Sequence, residues 1–63
     1  MTLIHEPNLT DPDGFYEALI DAQRDLDDAA AERFRARLLL VLANHVGDAR
    51  VLAEALEVAG RGR

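Results

Sequence analysis

Cysteine and serine are both missing from this 63-residue chain. Without cysteine there is no disulfide framework, no CxxC redox motif and no thiolate metal site. Without serine or cysteine there is no Ser-His or Cys-His nucleophilic pair. Lysine and tryptophan are absent too, so every basic side chain is an arginine or one of the histidines His5 and His45. Prolines number two, glycines four and aromatics three. The longest apolar run, Leu38 to Ala43, is far below the roughly 20 residues a membrane-spanning helix needs. The start of the chain has neither the basic flank nor the apolar stretch of a signal peptide, which leads us to expect a cytoplasmic protein.

What is present is half apolar, at 49%, with eleven alanines, a composition suited to a folded domain rather than a disordered segment. A chain this short buries only about 60% of the surface its unfolded form exposes. Small domains offset that deficit with disulfides, a metal or association, and here association with protein is the expected remedy. Net charge is −5, divided unevenly. Residues 1–32 carry nine acids and Arg24, whereas residues 33–63 carry six arginines and three acids. Halves of opposite sign attract one another, within one molecule or between two, and the acidic total argues against nucleic-acid binding.

The pattern predicts an all-α fold of three helices, over about 11–26, 28–46 and 48–59, with an extended segment at 1–9 and a basic tail at 60–63. Asp11 and Pro12 read as an N-cap and the first helical position. Phe15, Ala18, Leu19, Ala22 and Leu26 then form one apolar stripe, with Tyr16 and Ile20 beside it. Asp27 or Asp28 should cap the second helix. Its seam is Ala31, Phe34, Leu38, Val41 and His45, and from Leu38 to Val46 it is apolar nearly all round, so burial on several sides is expected, which a chain of only three helices can hardly achieve alone. Gly47 reads as a left-handed C-cap and Asp48 as the next N-cap. The third helix should turn Leu52, Ala55, Leu56 and Ala59 inward and stop at Gly60.

Calcium is the first chemistry to test, because Asp11-Pro12-Asp13-Gly14 has the vocabulary of a calcium loop. Placing Gly14 at loop position 6 sets Leu9 at position 1 and Ile20 at position 12, both apolar, so the loop fails. No metal and no cofactor is expected. An enzyme using His45 as a base oriented by Asp48 is a remote alternative, and a structural or interface histidine is the favoured reading. Glu17, Asp21 and Asp25 recur along one helical face, as solvated carboxylates do. Arg33, Arg35 and Arg37 are expected to pair with that acidic helix or with another subunit. Gly14 inside a first turn costs about 0.5–1 kcal/mol against alanine, which predicts a close packing contact beside Phe15 and Tyr16. The residues expected at an interface are Gly14, Phe15, Tyr16, Arg33, Arg37, Leu40, Asn44 and His45.

The words Asn8–Leu26, with DPDGFYEAL at their centre, followed by LANHVGD and VLAEAL, resemble a family of small bacterial proteins of unknown function. The resemblance runs from about Pro7 to Ala59. Genes of that family often lie beside flavin-dependent aromatic hydroxylases, and the resemblance implies such a neighbour here. The resemblance therefore implies a non-catalytic accessory subunit that binds and stabilises a neighbouring oxidoreductase, and it implies no catalytic residue. A homo-oligomer with a binding or regulatory role is the alternative.

Overall fold

Three carboxylates open the three helices of the chain, whose computed structural model describes residues 2–61. Helix α1 runs Pro12–Gln23, α2 Asp28–Val46 and α3 Ala49–Arg61. Asp11 Oδ1 accepts from the Gly14 N–H at 3.1 Å. Asp27 Oδ1 accepts from the Ala30 N–H at 2.8 Å. Asp48 Oδ1 accepts from the N–H groups of Arg50, at 2.9 Å, and Val51, at 3.3 Å. Each cap satisfies donors that the first helical turn leaves unpaired. Of the three caps only Asp11 is left-handed, with φ 53° and ψ 64°. Aspartate is one of the few side chains that tolerates that region. Among the described residues there is no strand, and the segment 2–10 has no regular structure.

The predicted helix over 11–26 closes three residues early. The Arg24 N–H turns to the Asp21 carbonyl at 3.2 Å, tightening the last turn, and Gln23 Nε2 donates to the Leu19 carbonyl at 3.0 Å. Asp27 must be extended to cap α2, with φ −73° and ψ 175°, so the chain has to leave the helix before it. Leu26 consequently falls in the connection rather than on the α1 stripe. At the other end α3 continues through Gly60, which the sequence reads as a stop. Gly60 has no positive φ, unlike Gly47 at 74°, and a Glu57–Arg61 ion pair of 3.3 Å spans the last turn. Gly62 and Arg63, the end of the predicted basic tail, lie outside the described residues.

Packing is sparse. Helices α2 and α3, joined through the left-handed Gly47, form the principal helix–helix contact. Val51, at 7% exposure, is the only buried apolar residue among those described. The N-terminal segment lies back against this pair. His5 Nε2 and Glu54 Oε2 are 2.8 Å apart, and Leu3, Ile4 and Leu9 share a cleft with Val46 and Val51. The radius of gyration is 13.3 Å, where a compact chain of this length would have about 10.6 Å.

Candidate interaction surface

The C-terminal half of α2 is where the apolar surface of this fold collects. Successive residues advance by about 100° around a helix, so Leu39, Leu40, Val41 and Leu42 point in four directions. All four are exposed. Burial on several sides, the sequence expectation for this segment, is thus absent from the folded chain. The seam Ala31, Phe34, Leu38 is half-buried, but its continuation at Val41 and His45 is open.

One of these open directions faces α3. Leu39, Leu40 and Ala43 of α2 and Leu52, Ala55, Leu56 and Ala59 of α3 line a groove of about 500 Å³. Leu39 is 64% exposed, Leu40 69% and Leu56 73%. No lining residue is charged or polar. The sequence assigns the stripe Leu52, Ala55, Leu56, Ala59 to the core. The structure instead gives the buried position to Val51, which the periodicity set beside that stripe, and the stripe itself borders the groove. Charges on α3 keep to the far side, because Arg50, Glu54, Glu57 and Arg61 recur at spacings of four, three and four.

A second apolar surface lies on α1. Tyr16 is 65% exposed, and Phe15 and Ile20 are exposed beside the half-buried Leu19, with Leu26 exposed in the connection that follows. The close contact predicted at Gly14 is made from within its own turn. A Cβ at position 14 would lie 2.7 Å from Asp11 Cγ and 3.0 Å from Asp11 Oδ1, so the cap carboxylate itself occupies that space. Gly14 is therefore part of the α1 cap.

Within the chain, among the described residues, the basic cluster meets the acidic helix only through Arg35. Arg35 Nη1 donates to Gln23 Oε1 at 2.6 Å, a tie to α1 through an amide rather than a carboxylate. Arg33 and Arg37 form no ion pair with the acidic helix among the described residues. The pair on α1 is local, Arg24 with Asp21. Arg33, Arg37, Leu40 and Asn44 follow at spacings of four, three and four, so the structure sets four of the expected interface residues along one exposed face of α2. His45 is exposed and lies off that face, while Gly14, Phe15 and Tyr16 belong to α1. Asp48 is engaged as the cap of α3. Among the described residues no three metal-ligating side chains converge. No described helix is long and apolar enough to cross a membrane.

Three features of the surface are not in the sequence reading. His5 finds its partner 49 positions away, beyond any local pattern. Leu39 and Leu56 enter the groove because helical period marks which residues share a stripe but not whether another element covers it. A signal was available for the groove, since a run apolar on every side cannot be covered by two neighbouring helices.

A small all-α domain with an unusually open apolar surface is the class these features define. The chain belongs to the family described as Protein of unknown function (DUF2783), which matches residues 3–61. No curated protein matches the chain. No solved structure matches it either.

Proposed function

We propose that this protein is a non-catalytic helical interaction subunit, whose apolar surface is completed by protein contact. One observation carries the reading. The folded chain exposes 5693 Å², where a compact monomer of 6.9 kDa would expose roughly 4,000 Å². The exposed side chains include Phe15, Tyr16, Ile20, Leu39, Leu40 and Leu56, and water contact with apolar surface costs about 25 cal/mol per Å². Contiguous exposed apolar patches mark interaction sites on soluble proteins.

The partner that fits best is an enzyme encoded alongside it, a flavin-dependent aromatic hydroxylase in the resemblance described above, with both in the cytoplasm. Its contact belongs on the α1 side, where Tyr16 and Phe15 supply the amphipathic aromatic anchors that dominate interface energetics. The flanking Glu17, Asp21 and Asp25 favour a basic rim on that partner. Co-expression with the neighbouring hydroxylase should yield a complex that co-elutes in gel filtration and raises the enzyme's melting temperature. Tyr16→Ala should weaken it at least tenfold. An enzyme that never co-elutes, and melts identically with and without this chain, removes the partner.

A further inference from the structure

We propose that the groove between α2 and α3 is the dimer interface of this chain, filled by α3 of a second copy. The proposal rests on the reading that protein contact completes the surface, and it commits the groove to one occupant.

Self-complementarity is the first ground. A two-fold interface uses the same patch on both subunits, so that patch must carry both the projection and the hollow that receives it. The groove does. Leu39, Leu40 and Leu56 stand out into solvent, whereas Ala43, Ala55 and Ala59 end at Cβ and leave an open volume of about 500 Å³. Leucines of one copy can therefore seat over the alanines of the other, as ridges enter grooves between helices.

Polarity is the second. No charged or polar side chain lines the groove, so a matching partner must present an uncharged apolar helix. Helix α3 is such a helix, the most sharply amphipathic of the three, with its charges on the opposite face. Closing the groove with it buries no charge, because Arg50, Glu57 and Arg61 stay on the opposite, hydrated face. Two copies joined this way bring two α2–α3 pairs together as a four-helix core, a size at which small helical proteins gain an adequate interior.

Area is the third. A stable interface takes about 800 Å² from each partner. The chain exposes about 1,700 Å² more than a compact monomer of its mass, summed over all its surfaces, so area for one such interface is available on it.

Sedimentation equilibrium of the full chain, with circular dichroism to check folding, tests this. The wild type should sediment at twice 6.9 kDa. Leu56→Asp, at a side chain already exposed in the single chain, should raise the dissociation constant roughly 100-fold with helix content unchanged. Ala59→Leu fills the hollow without adding charge and should also weaken the dimer, which separates loss of fit from charge repulsion. On dilution, methyl NMR shifts should change at Leu39, Leu40, Leu52 and Leu56. A wild type that stays monomeric up to about 1 mM overturns the proposal. So does a dimer that survives both groove variants but dissociates with Tyr16→Asp. Loss of hydroxylase co-elution in Leu56→Asp, with self-association unchanged, also overturns it by assigning the groove to another protein. Dimerisation as described with no hydroxylase binding leaves the groove proposal standing and removes only the enzyme partner.

Discussion

The Gly14 N–H donates to Asp11 Oδ1 at 3.1 Å, and the same carboxylate fills the space where a Cβ of residue 14 would stand. One short-range relationship thus accounts for two costly features, a left-handed aspartate and a glycine in a helical turn. The left-handed backbone brings the carboxylate beneath the first turn, and only a residue without Cβ leaves room for it there. Gly14→Ala should therefore destabilise the chain by about 1 kcal/mol, loss of the cap outweighing the gain in helix propensity. In an Asp11→Ala background the obstacle is gone, and the same change should stabilise by about 0.5 kcal/mol. Urea denaturation of the four-member cycle reads this reversal of sign directly. Additive effects would mean that the two residues are independent.

Gly47 poses the backbone question in isolation. At φ 74° it ends α2 and donates its N–H to the Ala43 carbonyl at 2.9 Å. A Cβ there would meet nothing closer than the Asn44 carbonyl oxygen at 3.7 Å. Gly47→Ala should cost about 1–2 kcal/mol through the left-handed conformation alone, and Gly47→Asn distinctly less. Equal costs for the two in urea denaturation would contradict the assignment.

Burial separates Val51 from Leu56, although both are apolar residues of α3. Val51→Ala should cost about 2 kcal/mol at every protein concentration, since its side chain is enclosed within one chain. Leu56→Ala should cost less than about 0.5 kcal/mol at high dilution and progressively more as the chain associates. Denaturation profiles at several concentrations check both. A Leu56→Ala penalty that is large and independent of concentration would place that side chain in the monomer's own core.

His5 and Glu54 form an exposed contact, so His5→Ala should change global stability by no more than about 0.5 kcal/mol. Its effect should be local. The pairing holds the segment 2–10 against α3, and its loss should speed amide exchange and proteolysis in that segment without changing the helices. Unchanged exchange there would show that Leu3, Ile4 and Leu9 hold the segment without it.

These residues also show how much of the molecule could be read in advance. Asp11, Asp27, Gly47 and Asp48 are caps whose chemistry is local, and the sequence locates all of them, with Asp28 as the one alternative. The ends at Gln23 and Arg61 were misjudged because each depends on a competing local demand, the extended Asp27 in one case and a Glu57–Arg61 turn in the other. The reason for Gly14 was hidden because it follows from the backbone conformation of Asp11, which residue identity permits but does not dictate. The arginine cluster was legible as a cluster, but its partners were not, since Arg35 reaches an amide on α1. The apolar stripes of α2 and α3 were legible as stripes. That a three-helix chain has little material to cover the all-round apolar segment of α2 was legible too, but which side chains stay open, Leu39 and Leu56 among them, was not.

That deficit is most directly measured by the melting temperature of the purified chain across a hundredfold range of concentration. If the open groove is closed by a second copy, unfolding is coupled to dissociation. The melting temperature should then rise by something on the order of 10 °C over that range, while Leu56→Asp melts at one temperature throughout. A wild-type melting temperature that stays constant from low to high concentration would contradict the account.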